Sequence, residues 1–142
     1  MNKRAWIISA LALLLALLLF FLFRPASVDS SDLLITIDQE PVALHTVLAP
    51  EQTGLRVTLT HGEESLLDLP FGRPCQIRIL QPGGAENILR LTETSVWMES
   101  ANCTTQDCVH MGEITRENLD IRPMGGFIIC LPHGLTVEVH ST

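Results

Sequence analysis

Five residues that can hold a soft metal, exchange electrons or form a covalent clamp crowd into one short part of this chain: Cys103, Cys108, His110, Cys130 and His133. They fall in two glycine-bracketed runs, Cys-Val-His-Met-Gly at 108–112 and Cys-Leu-Pro-His-Gly at 130–134, each placing a thiol and an imidazole within three residues of one another. Two kinds of chemistry follow. Thiols in an oxidising compartment pair, so Cys103, Cys108 and Cys130 are disulfide candidates. The short Cys103 to Cys108 bridge is favoured, because Thr104-Thr105-Gln106-Asp107 reads as a polar surface turn that a disulfide would staple, for about 2 kcal/mol. A bridge from Cys108 to Cys130, tying two loops, stays open. The alternative is a metal: Cys108, His110, Cys130 and His133 together offer the donor set of a single zinc or copper ion. Cys75, beside Pro74 at the head of an apolar run, reads as a buried small hydrophobe.

Where those thiols sit decides between the readings, and the first 24 residues speak to that. Ala5 to Phe23 carries no charge. At 1.5 Å per helical residue it reaches about 28 Å, enough to cross the hydrocarbon core of a bilayer. Lys3 and Arg4 precede the run and only Arg24 follows. The positive-inside bias therefore leaves residues 1–4 in the cytoplasm, makes 5–23 a transmembrane signal anchor and puts the rest outside the cell membrane. A cleavable signal peptide fits less well, because no small-x-small pair ends the run. No cysteine stands there for a lipid anchor either.

Residues 24–30 form a short polar linker, and 31–142 have the length of one domain. Beyond Arg24 there are six Arg and no Lys against all sixteen Asp and Glu, a net charge of −10. Phosphate backbones would be repelled, so nucleic acid is excluded as a partner.

The exported part has a period of two. Leu33, Ile35 and Ile37, then Leu55, Val57 and Leu59, then Leu135, Val137 and Val139 alternate with polar neighbours, as half-buried strands do. Shorter runs at 42–47, 76–80, 87–91, 95–98 and 127–130 fit the same pattern. Turn residues separate them at Gln39-Glu40-Pro41, Gln81-Pro82-Gly83-Gly84, Thr92-Glu93-Thr94 and Met124-Gly125-Gly126. No amphipathic helix of useful length interrupts this. The expected fold is all-β, a small antiparallel barrel or sandwich preceded by one transmembrane helix.

The strand pair after the anchor, Asn87-Ile88 at the opening of a hairpin, Asn-Cys-x4-Cys-x3-Gly-x-Ile at 102–114, Gly-x-Ile-Ile-Cys-Leu-Pro at 126–132 and a final strand together resemble the NusG domain II-like family of exported bacterial proteins. The resemblance covers about residues 31–140 and implies an extracytoplasmic β-barrel-like module. It does not imply transcription, which an acidic exported domain is not expected to serve. Gln39 stands after Asp38 where the family often has Asp-Gly, so a different type of first turn is expected. A second resemblance rests on Cys108-x-His110 and Cys130-x-x-His133-Gly134, which are similar to the Rieske pattern of two thiolates on one iron and two imidazoles on the other. It implies a 2Fe-2S cluster and electron transfer. The extra cysteine pair of many Rieske proteins would fall at Glu113 and Pro132 and is absent, and only eight residues follow Gly134.

Other chemistry is weaker. His45, His61 and His140 are scattered, Trp97 reads as a strand residue, and Glu63-Glu64, Glu113, Glu117 and Asp120 read as solvated acids. No Ser-His-Asp elbow, phosphate-binding loop or zinc-protease helix occurs, so no catalytic residue is assigned and enzymatic activity is not expected. The expectation is a membrane-anchored binding or assembly module for an extracytoplasmic protein, with no favoured cofactor. Its alternative is an electron-transfer or metal-binding domain.

Overall fold

The computed structural model describes residues 3–22, 32–48 and 54–142, with side chains in the first stretch from Leu11 onward. Helix α1 (Lys3–Leu22) forms over the leucine-rich run, and all its described side chains are exposed. Among the described residues no helix is long and apolar enough to cross a membrane. The expected linker, 24–30, lies outside the described residues.

Alternation of buried and exposed residues builds two sheets. The first contains β1 (Leu34–Ile37), β2 (Glu40–Val42), β6 (Cys75–Leu80), β7 (Glu86–Leu91), β8 (Ser95–Ala101) and β9 (Ile114–Thr115), in the order β2-β1-β6-β7-β8-β9. The second contains β3 (Thr46–Val47), β4 (Leu55–His61), β5 (Glu64–Pro70), β10 (Phe127–Cys130) and β11 (Leu135–Ser141), in the order β10-β11-β4-β5-β3. Ile35, Ile77, Ile79, Leu89 and Met98 from the first sheet join Val57, Leu59, Leu67, Ile128 and Val137 from the second in one core. The arrangement is thus a two-sheet sandwich and not a closed barrel. Each fully buried Leu or Ile contributes roughly 1.5–3 kcal/mol, so this shared core outweighs any single polar contact.

Three features depart from the simple pattern. β3 pairs with β5 in parallel, the others antiparallel. β5 does not alternate, because Leu66 and Leu67 are both buried beside a register shift at Leu59/Thr60; a bulge there lets two successive side chains turn inward. The β1–β2 turn also differs from expectation. Asp38 and Gln39 both have positive φ, 49° and 73°, and Ile37 pairs with Glu40, so the turn keeps the two-residue left-handed geometry for which Asp-Gly is the usual choice. The Asp38 carboxylate holds it by accepting a hydrogen bond from the Gln76 amide at 2.8 Å.

Candidate functional site

The strand ends that carry the cysteines are held by side-chain amides. Asn102 follows β8, accepts from the Glu86 amide and donates to the Gly84 carbonyl, each at 2.8 Å, which fixes where Cys103 leaves the sheet. Gln106, in the left-handed region at φ 53°, folds its side chain back onto the Ala101 carbonyl and starts the one-turn helix α2 (Asp107–His110). Cys108 is the buried residue of that turn. Cys130 ends β10, and a 3₁₀ turn over Leu131–His133 follows it.

These three points converge. The Sγ atoms of Cys103, Cys108 and Cys130 lie within 4.8 Å of one another, and all three residues are buried. The Cys103 and Cys108 sulfurs are 4.0 Å apart, and all four cysteines of the chain are free thiols. That is about twice a disulfide bond length, so the pair is adjacent and unbonded. Burial, then hydrogen bonding and charge from Cys130, then the nearness of Cys103, push the Cys108 thiol up to about 12. Cys75 is also buried, at the head of β6, and burial raises its pKa as well. The trio lines an open cleft of about 190 Å³, walled also by Met111, Met124, Ile129 and Leu131 among others.

Neither histidine of the two runs belongs to the sulfur group. His110 is exposed on α2. The other is engaged elsewhere: His133 Nδ1 contacts Asn87 Oδ1 at 2.6 Å and its carbonyl accepts from the Gln81 side chain at 2.8 Å. Asn87 is fully buried at an inward position of β7, where the alternation calls for an apolar residue, and its amide nitrogen faces the Met98 sulfur at 3.5 Å. A buried amide in a strand is expensive unless satisfied, and the His133 contact supplies that partner. The four-residue set Cys108, His110, Cys130 and His133 is therefore not brought together as one ligand group; Cys103 stands where the histidines were expected.

Burial lowers the His133 pKa from its ordinary value near 6.5. The unfolded chain consequently takes up the proton first as pH falls. The stability His133 contributes is full above about pH 6.5 and is lost as pH drops toward the lower folded value. Thermal melts between pH 7 and pH 5 are expected to show a falling Tm, with a shallower fall in His133→Leu; equal slopes in the two proteins would remove His133 as a cause.

The long segment after α2 is tied by Arg122, which donates to the carbonyls of Met111 at 2.9 Å and Gly125 at 2.7 Å. Arg122 has no carboxylate partner among the described residues. Ile121, Met124, Phe127 and Leu131, all on or next to this segment, are among the few large apolar side chains of the β domain left exposed. The remaining candidates have local partners or none. His45 bonds the Ser65 carbonyl and Glu64, His140 bonds Thr58, and Glu63, Glu113, Glu117 and Asp120 are exposed. Trp97 lies half-buried on the outward face of β8.

A family model described as NusG domain II matches residues 7–142. Three solved structures are similar in fold. A crystal structure of a DUF1312 family protein from Enterococcus faecalis V583 has 20% identity and a TM-score of 0.54, covering 63% of this chain and 99% of that one. The Lin0431 protein from Listeria innocua has 23% identity in both its crystal and solution structures. The TM-scores are 0.53 and 0.52, covering 62% and 65% of this chain and 97% and 79% of theirs. Comparison with curated proteins finds no match.

Proposed function

Since the chain belongs to the NusG domain II family, whose members' shared fold does not itself name an activity, we propose that it is a membrane-anchored module that works outside the cell membrane and binds a protein partner there through its cysteine end. The observation that carries the binding part is the coincidence, at one end of the sandwich, of an open cleft with exposed Met124, Leu131 and, on the same segment, Ile121 and Phe127. Exposed large apolar residues gathered on one segment are a usual mark of a docking surface. Anchoring is supported by α1, whose described side chains, Leu11 to Leu22, are apolar on every face and exposed, an arrangement that water disfavours and lipid does not. The acidic charge of the rest of the chain suits an exported domain and keeps it from nucleic acid.

The test is topological. A Thr142→Cys protein, exposed at the C-terminus, is expected to react with a membrane-impermeant maleimide on intact cells as fully as after lysis. Labelling only after lysis would place the domain in the cytoplasm and end the proposal. A photo-crosslinker at position 131 should then give a discrete adduct that one at position 47, exposed on β3 far from the cysteine runs in sequence, does not.

A further inference from the structure

Cys103, Cys108 and Cys130 come from three different elements and turn their sulfurs toward one point, which a structural staple does not need. Three thiols cannot all be consumed by pairing, since any one disulfide leaves the third buried beside it. Three thiolates about 2.3 Å from a common metal, the usual metal–thiolate distance, have their sulfurs about 4.0 Å apart when the ion lies in their plane. The Cys103 to Cys108 separation is 4.0 Å, and no pair in the trio exceeds 4.8 Å.

We propose that these three cysteines form a site for a single thiophilic monovalent cation, Cu(I), bound by three thiolates. The donor set selects it. Soft sulfur ligands favour Cu(I), which accepts three-coordinate geometry, whereas zinc is held almost always by four ligands. Among the described residues no histidine imidazole and no Asp or Glu carboxylate joins the three sulfurs within bonding reach of one ion. Asp107 lines the cleft without belonging to that group. The softer surroundings continue outward, with Met111 and Met124 both lining the cleft by which an ion would enter. Met124 is 43% exposed, at the mouth. Three thiolates and one Cu(I) carry a net charge of −2. The Arg122 guanidinium does not line the cleft but bonds the carbonyl of Met111, which does.

Binding is an exchange without redox change. One Cu(I) enters, three S–H bonds break, three S–Cu bonds form and three protons leave to solvent. The proposal is a property of the folded domain and stands or falls separately from which side of the membrane the domain occupies.

The full chain, solubilised and kept anaerobic, is titrated with Cu(I) in competition with a chromophoric Cu(I) chelator, and separately with Zn(II). One Cu(I) per chain is expected, with a sulfur-to-copper charge-transfer band in the ultraviolet and X-ray absorption fitting three sulfurs in a single shell. Cys103→Ser, Cys108→Ser and Cys130→Ser each remove a direct ligand and should weaken binding by more than the roughly 100-fold that loss of even an outer-shell partner can cost. Cys75→Ser should leave it unchanged. Should a serine variant fail to fold, the copper stoichiometry and the sulfur shell of the unaltered protein decide alone. No copper retained against the chelator, binding that survives loss of all three cysteines, or preference for Zn(II) with an oxygen or nitrogen ligand in the shell would each overturn the assignment.

Discussion

Gly126→Ala is expected to lower the stability of the domain by about 3 kcal/mol, a fall in Tm of roughly 10 °C or more for a domain of this length. A Cβ at position 126 would stand 2.2 Å from the Val139 carbonyl oxygen and 3.2 Å from the Leu119 side chain. The first neighbour is backbone, in the middle of β11, and cannot swing away as a side-chain tip can. The two residues are also hydrogen-bonded, the Val139 amide donating to the Gly126 carbonyl at 2.8 Å, so relief of the clash separates the strands where β10 begins. Cys130 ends that same strand. The consequence therefore reaches the site, and Cu(I) binding should weaken with stability, which a remote destabilising change would not produce below its melting temperature. Differential scanning calorimetry with a copper titration on the same sample checks both. A Tm within about 3 °C of the parent protein would show that β10 and β11 do not approach as described.

Asp68→Ala is expected to cost about 2 kcal/mol. Arg56 of β4 is 3% exposed, and its Nε donates to Asp68 of β5 at 2.7 Å while another guanidinium nitrogen reaches the Leu48 carbonyl at 3.1 Å. The Asp68 side chain is 27% exposed, which softens the loss relative to a fully buried pair. The pair also reaches the end of β3, because Arg56 bonds the Leu48 carbonyl and the Leu48 amide donates to the Asp68 backbone carbonyl next to the parallel β3–β5 pairing. Removing the charge should thus loosen Thr46–Val47 first, seen as faster amide exchange there than in β6 or β7. Asp68→Asn, which keeps a hydrogen-bond acceptor, should cost about half as much. Equal stabilities of all three proteins in urea would show that the ion pair contributes nothing.

Most of the sandwich was legible in the alternation of Ile35, Ile37, Val57, Leu59, Val137 and Val139, because a half-buried strand writes its two faces directly into the chain. β5 was not, since the adjacent bulge buries Leu66 and Leu67 together and erases the period. The β1–β2 turn misled in the opposite direction. Gln39 lacks glycine's freedom at positive φ, yet the sheet on either side and the Asp38 contact to Gln76 enforce the same turn. Nor could spacing reveal that β3 runs parallel to β5, which depends on a partner 21 residues away.

The site shows the same division. That the cysteine runs would meet was readable from their glycine brackets and their places at strand ends. Which side chains converge there was not, for a local geometric reason. Cys-x-His can chelate from extended backbone, but residues two apart in a helical turn point about 200° from one another. Once Cys108 and His110 fall in α2, burying the thiol exposes the imidazole. His133 is claimed by Asn87, a buried polar residue whose inward place in β7 was the available clue. Cys103, set aside as one end of a staple, supplies the third sulfur.

The most direct test is the intact mass and metal content of the full chain isolated anaerobically from the cells that make it, first native and then unfolded. A three-thiol copper centre predicts one copper in the native protein, lost on unfolding, and a chain with all four thiols free. A native protein without copper, whose chain is lighter by two hydrogens and yields a linked Cys103–Cys108 peptide, would contradict it and make the pair a structural clamp.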